Sequence, residues 1–255
     1  MKYFYVISNL SKDYVLDVQD EVQSCLEKRG AVCRYMTDYE RMKNGRHTPG
    51  EYVPEDTQCI ITIGGDGTLI QAARDLAGRN IPMLGINRGH LGFLNQVDRT
   101  EDIDAAMDAL VNERFRLEHR MMLRGTVFHE GKPVFQDIAL NEIVATSAEH
   151  LRVLRYDLAV NDEYLNEYAA DGVMVATPTG STAYNLSAGG PVMAPAGRMM
   201  AVTPVCSHTL NARSIVISEE DRVKIGLLGK GLVTFDGDTS QKTGPGDYLI
   251  VERSH

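Results

Sequence analysis

The chain has 255 residues, enough for one large domain or two modest ones with an ample core. Its make-up is ordinary for a soluble globular protein, 43% hydrophobic and 24% charged, and no apolar run approaches a membrane span, which sets a membrane partner aside. A formal net charge of −9 argues against nucleic acid, whose phosphates need a basic stripe.

The first elements alternate in period. Residues 3–7 form an apolar strand, too short in its apolar part for a signal peptide and soon followed by Asp13 and Asp17. Residues 14–28 place Val15, Val18, Val22, Cys25 and Leu26 on one helical face, and Gly30 ends that helix. Residues 31–36 read as a second strand. Residues 37–56 are polar, carry Gly45, Pro49, Gly50 and Pro54, and read as a long mobile loop. The run Cys59-Ile60-Ile61-Thr62-Ile63 reads as a buried strand, and residues 69–77 as a helix. A strand at 81–86 and a helix at 102–112 close the region. Repeated βα units imply a doubly wound parallel sheet with helices on both faces, a Rossmann-like domain over residues 1–114.

The texture changes near Phe115. Strands are expected at 122–129, 134–140, 154–160, 173–176, 214–217, 223–228, 232–236 and 248–251. Turn signals separate them at Gly131, Asn161-Asp162, Asp236-Gly237 and Gly244-Pro245-Gly246. This is a mostly antiparallel, β-rich domain over residues 115–255, with a return of its C-terminal segment to the first domain left open. A cleft between the two is the natural ligand site. The four cysteines, Cys25, Cys33, Cys59 and Cys206, show no C-x-x-C spacing. They read as buried thiols in a reducing, cytoplasmic setting. The seven histidines show no metal-ligand spacing, and His129-Glu130 lacks the second histidine of a zinc-protease helix.

Chemistry concentrates in Gly64-Gly65-Asp66-Gly67-Thr68-Leu69, where a strand turns into a helix. Glycines let backbone N–H groups approach a phosphate, and the helix N-terminus adds partial positive charge. Asp66 can hold Mg²⁺ or accept a proton from a substrate hydroxyl. The bland alternative is a glycine-rich turn with an Asp N-cap. Neither G-x-x-x-x-G-K-[ST] nor G-x-G-x-x-G is present. The loop therefore points to NAD kinases, diacylglycerol-type lipid kinases or phosphofructokinases, without choosing among them.

A second region carries Asn141-Glu142 at the end of a strand. After it comes Asp171, then a strand, then Thr177-Pro178-Thr179-Gly180-Ser181-Thr182-Ala183-Tyr184-Asn185-Leu186-Ser187. Its hydroxyls and N–H groups suit ribose hydroxyls and the amide edge of a base. A well-capped short helix from Thr182 is the plain alternative. In order and wording the glycine loop, the Asn-Glu pair and this long segment closely resemble the NAD kinase family. Residues 85–94 and 204–210 look like family segments too. The resemblance spans roughly residues 3–251, and lipid kinases and phosphofructokinases lack the second motif.

The resemblance implies phosphoryl transfer from ATP, another nucleoside triphosphate or polyphosphate to the 2′-hydroxyl of the adenosine ribose of NAD. It implies a divalent metal, Mg²⁺, and a homodimer or homotetramer. By that resemblance Asp66 is the proton acceptor for the hydroxyl or positions it beside Mg²⁺, and Gly67 lies beside it in the NAD pocket, where a positive φ would bar a β-branched residue. Asn141 and Glu142 would hold ribose and adenine, Glu142 as an ionised acceptor. Asp171, Thr179, Thr182, Ala183, Tyr184, Asn185, Leu186 and Ser187 would line the dinucleotide pocket. Ala169 stands where many relatives carry Arg; Arg152 or Arg155 is a replacement charge or merely solvated, and Arg152 is placed among the binding residues. Asp238 stands where a Gln often touches substrate, which puts that contact in doubt. Arg88 and His90 face phosphates or decorate a loop. Two alternatives remain: a lipid or sugar kinase sharing only the glycine loop, and a non-enzymatic NAD(H) sensor, which would need no Asp66.

Overall fold

The computed structural model describes residues 1–36, 43–88, 93–149, 152–208 and 212–254. They fall into two compact units, Met1–Leu117 and Glu118–His255.

The first unit runs β1 (Tyr3–Ser8), α1 (Val15–Glu27), β2 (Val32–Tyr35), β3 (Cys59–Ile63), α2 (Asp66–Asp75), β4 (Met83–Ile86) and α3 (Ile103–Val111). All its strand pairs are parallel, in the order β2-β1-β3-β4. Side chains alternate across this sheet. Phe4, Val6 and Ile61 share a cluster with Val18, Val22 and Leu26 of α1 and Met107 of α3. Tyr5 and Ile60 form another with Val53 and Leu76, just past α2. Helices cover both faces, as the repeated βα pattern predicts. The pattern of α1 is borne out: the five apolar residues at helical spacing are all buried, and Gly30 takes φ +73° beyond its end. β2 lies on one side of β1 and β3 on the other. The winding reverses there, and in open parallel sheets the strand ends at such a reversal border a ligand crevice. Of the expected loop at 37–56, residues 37–42 lie outside the described residues, and Gly50–Tyr52 forms a 3-10 turn.

The second unit holds two six-stranded antiparallel sheets. One contains β7 (Glu142–Ser147), β10 (Gly172–Ala176), β11 (Met199–Val205), β12 (Ile215–Ser218), β14 (Gly231–Phe235) and β15 (Thr239–Thr243), in the order β12-β11-β10-β7-β14-β15. The other contains β5 (Leu123–His129), β6 (Lys132–Ala139), β8 (Leu154–Val160), β9 (Glu163–Ala170), β13 (Val223–Leu227) and β16 (Tyr248–Arg253), in the order β6-β5-β16-β13-β8-β9. Their inward residues make one core, with Ile143, Val173, Val202 and Phe235 from the first sheet and Val127, Tyr156, Ile225 and Leu249 from the second. Each fully buried side chain of this size contributes roughly 1.5–3 kcal/mol. The opposite face of the first sheet carries Val144 and Met174, packed with Val205 and Ala188. A parallel-sheet unit followed by a β-rich unit is the fold class expected from the sequence.

Several expectations need correction. Asn141-Glu142 does not end a strand; Glu142 begins β7, which was not foreseen, nor were β9, β11 and β15. The helix expected from residue 69 begins at Asp66, with Gly65 as its N-cap, so Asp66 is a first-turn residue and not the cap. The short helix near Thr182 is a 3-10 turn, Gly180–Thr182, and a single α-turn, α4 (Tyr184–Ser187), neither capped by a side chain. Of the four thiols expected to be buried, Cys25 and Cys59 are, Cys33 is half-buried and Cys206 is exposed.

Candidate active site

The glycine loop leaves β3 at the winding reversal. Gly64 is buried at φ +154°, and a Cβ there would lie 2.4 Å from Thr68 Oγ1. Only glycine fits that close turn. Gly65 is extended, and α2 starts at Asp66 with no side-chain cap; the Thr68 N–H donates to the Gly65 carbonyl at 2.9 Å. Asp66 is half-buried. Its Oδ2 accepts the Phe93 N–H at 3.1 Å and its Oδ1 accepts from Asn95 Nδ2. Two donors from the segment after β4 therefore orient the carboxylate. Gly67 lies in the first turn of α2 without the positive φ expected for it, and the space at its Cβ position is open. The conformational demand belongs to Gly64.

A cavity of about 530 Å³ opens at the ends of β1 and β2 against the start of α2. Gly65, Gly67 and Thr68 line one side, Ser8, Asn9 and Lys12 another, and residues 45–48 a third. His47 Nδ1 lies 3.1 Å from Asp75 Oδ1 and 3.0 Å from Gln71 Nε2, while Asp75 Oδ2 accepts the Thr48 N–H at 2.6 Å. Lys12, His47 and Asn95 were not singled out from the sequence, which shows no local signal for them. Arg88 is exposed; His90 lies outside the described residues.

In the second unit the Asn141-Glu142 pair is gripped from two sides. Asp236, at φ +49° in the turn after β14, accepts the N–H groups of Leu140 at 2.7 Å, Asn141 at 2.8 Å and Glu142 at 3.0 Å. From the other side Gly180 presses on Asn141, where a Cβ would come within 2.2 Å of the Asn141 carbonyl oxygen. Thr177 donates its hydroxyl to the Leu140 carbonyl at 2.6 Å, and its N–H goes to the Asn141 carbonyl at 2.8 Å. Glu142 is only 7% exposed and its Oε2 has no hydrogen-bond partner. Burial, with Asp236 nearby, pushes its carboxyl up to about 8. Burial thus favours the neutral carboxyl over the ionised acceptor expected from the sequence.

The Thr-Pro-Thr-Gly-Ser-Thr segment uses its hydroxyls internally. Thr177 Oγ1 accepts the Gly180 N–H at 3.0 Å. Ser181 donates to the Pro178 carbonyl at 2.7 Å and accepts the Met193 N–H at 3.0 Å. Thr182 donates to the Thr179 carbonyl at 3.3 Å. Asn185 is fully buried; its amide donates to the Pro191 carbonyl and accepts from Thr203. Asn185 therefore holds the shape of the turn. Tyr184, Leu186 and Ser187 are exposed, Ala183 is half-buried, and Thr179 is buried with its hydroxyl accepting from Arg120 at 3.2 Å.

Asp171 is exposed, just before β10. The basic group beside it is His208, with Nε2 3.9 Å from Oδ1. The Ala169 carbonyl accepts the His208 N–H at 2.8 Å, so the position lacking an arginine holds a histidine by its backbone. Arg152 pairs with Glu149 at 3.5 Å and Arg155 with Glu167, both at the surface. Asp238 donates its N–H to the Phe235 carbonyl within the β14–β15 turn. Thr209 and Leu210, the end of the family-like 204–210 segment, lie outside the described residues. Among the described residues no three His, Cys, Asp or Glu side chains gather into a metal cluster, and no helix is long and apolar enough to cross a membrane.

Residues 10–115 match the family model described as the ATP-NAD kinase N-terminal domain, and residues 140–255 the ATP-NAD kinase C-terminal domain. An NAD kinase of Lachnospira eligens is 37% identical over 272 residues, covering 100% of this chain and 92% of the relative. An NAD kinase of Moorella thermoacetica is 38% identical over 256 residues, covering 98% and 81%. Among solved structures, yeast NADH kinase complexed with NADH superposes with a TM-score of 0.86 at 22% identity, covering 100% of this chain and 79% of that one. An NAD kinase from Archaeoglobus fulgidus in complex with ATP gives 0.79 at 23% identity, covering 100% and 91%.

Proposed function

This chain belongs to the NAD kinase family and phosphorylates NAD with ATP, and we propose the division of labour among its residues that follows. Asp66 receives the proton of the ribose 2′-hydroxyl. The 2′ oxygen forms a bond to the γ-phosphorus as the bond from that phosphorus to the bridging oxygen breaks, and ADP leaves with the electron pair. Such transfer passes through a loose transition state, so positioning and charge neutralisation matter more than a strong base. The observation that carries this reading is the placement of Asp66. It stands at the first turn of α2, at the winding reversal, with both carboxylate oxygens held by donors from the segment after β4.

Asn141 and Glu142 hold the adenosine of NAD. Glu142 does so as a neutral carboxyl, whose partnerless Oε2 is the kind of buried atom a ligand satisfies. Thr179, Thr182 and the exposed Tyr184, Leu186 and Ser187 line the dinucleotide pocket, with Asp171 binding a hydroxyl beside His208. Gly67 leaves room for the ligand at the α2 terminus. Arg152, tied loosely to Glu149, contributes charge only.

A divalent metal, Mg²⁺, fits one carboxylate plus donor phosphate oxygens, the usual way this ion is held at phosphoryl-transfer sites. When bound it neutralises charge on the transferring group. Asp66 is the residue that would hold it. A cytoplasmic homodimer or homotetramer is the form proposed for the working enzyme. The test is direct: incubate the protein with NAD and ATP, with and without Mg²⁺, and follow the new phosphomonoester by phosphorus NMR. Absence of a 2′-phosphorylated product with ATP and Mg²⁺ would overturn the assignment.

A further inference from the structure

The side chain that aims Asp66 has its own amide oxygen stranded. An ionised carboxylate only accepts hydrogen bonds, so the Asn95 amide beside Asp66 Oδ1 must turn its Nδ2 toward it and its oxygen away. That oxygen is buried and meets no donor among the described residues. A buried acceptor left unmade destabilises a fold, so a side chain placed here for packing alone would be apolar or fully paired. The backbone on either side of Asn95 is fixed without its help. Gln96 latches onto β4: its Oε1 accepts the Gly85 N–H at 2.8 Å, and its N–H donates to the Gly85 carbonyl at 3.0 Å. Val97 bridges to Ile86, and its carbonyl accepts the Asn87 N–H at 2.9 Å. Asn95 thus reaches the first turn of α2 from a rigid support. Gly85 makes the room for it. It is buried in β4 without a positive φ, and a Cβ there would lie 2.3 Å from Asn95 Oδ1. The demand at Gly85 is for space and not for a backbone conformation.

We propose, on the reading of Asp66 as proton acceptor, that Asn95 is a positioning residue of the phosphoryl transfer and that Gly85 is the gap in β4 that lets it act. Asn95 works through Asp66: it fixes the carboxylate so that it already points correctly when the hydroxyl arrives. The other oxygen, Oδ2, is held by the Phe93 N–H, a backbone contact that survives side-chain exchange. Asn95 is therefore the half of the clamp that a substitution can remove. Each carboxylate oxygen accepts one bond from the clamp and has two lone pairs, so the capacity to take a proton remains. Orientation of this kind is realised in the reacting complex, so its loss falls on turnover and not on substrate binding.

The test measures NADP formation from NAD and ATP in the full-length protein carrying Asn95→Leu, close to asparagine in size, or Asn95→Ala. Losing a hydrogen bond to a charged group lowers kcat about ten- to a hundredfold in both, while KM for NAD and for ATP each stay within about twofold. Gly85→Ala, with Asn95 intact, lowers kcat as well, because the new methyl displaces the amide. Its other close neighbour, Leu69 Cδ1 at 2.9 Å, is the free end of a side chain that can yield. Added to Asn95→Ala, the same change lowers kcat no further, whereas independent sites would multiply their losses. Normal kcat in folded Asn95→Leu or Asn95→Ala overturns the proposal, as does a loss confined to KM or a multiplied loss in the Gly85→Ala/Asn95→Ala pair. A lowered melting temperature with kcat intact, or two Asn95 variants that fail to fold, makes Asn95 a fold residue and also overturns it. Those results leave the wild-type reaction standing; a wild-type protein that forms no NADP refutes the assigned reaction and the proposal with it.

Discussion

Replacing Glu142 by glutamine is expected to stabilise the protein, by an amount that grows with pH. The carboxyl is nearly buried, its Oε2 lacks a partner, and Asp236 stands nearby. In the unfolded chain it ionises near 4.5; in the folded protein it does so at about 8. Between those values the folded state keeps a proton that the unfolded state has released. Wild-type stability therefore falls as pH rises from about 4.5 to about 8, and levels off above. Each pH unit in that window costs ~1.4 kcal/mol, so roughly 3 kcal/mol has accumulated by pH 7. Glutamine keeps the shape and has no such equilibrium. Its own unsatisfied N–H adds an offset that does not vary with pH, so the slope is the readout. Urea unfolding of both proteins at several pH values between 5 and 8 should show the difference widening in favour of the variant. A difference that stays flat across that range would refute the desolvated, neutral carboxyl. Because the group is already neutral, kcat/KM for NAD at pH 7 should fall by ~tenfold at most, the scale of one neutral hydrogen bond.

Asp66→Asn should cut turnover by about 10²-fold or more while NAD still binds, since the amide cannot take the hydroxyl proton; near-normal kcat would remove Asp66 from its role. Gly64→Ala should lower the melting temperature, because the new methyl meets Thr68 Oγ1. Gly67→Val should fold normally and lose NAD affinity, since its side chain enters open space at the loop and not a strained backbone; calorimetry with unchanged affinity would exclude Gly67 from the site. Asp236→Asn leaves one acceptor oxygen for three backbone N–H groups at Leu140, Asn141 and Glu142. A penalty of ~1–3 kcal/mol in unfolding is expected, together with a raised KM for NAD; a variant that is destabilised yet normal in NAD kinetics would make Asp236 a fold residue only.

The β3-loop-α2 passage was legible because five successive residues of β3 are buried and Gly64 and Gly65 separate that strand from the helix. α1 was legible from periodicity alone. β9 and β15 were not, because Glu163–Ala170 is mostly exposed at its start and Thr239–Thr243 carries no large apolar residue. Yet the turns that create them were recognised. Asn161 and Asp162 adopt φ +52° and +66°, and Asp236 and Gly237 +49° and +66°, conformations that fold a strand back on itself. Each recognised turn implied a return strand. β7 hid because Glu142, Ile143, Val144 and Ala145 are all buried, so neither face shows an alternation. The candidate site was legible where it is contiguous, at Asp66 and the Thr177–Ser187 stretch. Lys12, His47, Asp236 and His208 acquire their partners only through tertiary approach, and a periodicity or a motif carries no trace of that.

The hydroxyls of Thr177, Ser181 and Thr182 are already spent on their own backbone, and the Asn185 amide is saturated. The turn from β10 into α4 is thus ordered by folding itself. In the dinucleotide-binding role proposed for this turn, the entropy of arranging it is met in folding and not in ligand association. A substitution that loosens this turn should weaken affinity through lost preorganisation, even though the altered side chain touches no ligand atom.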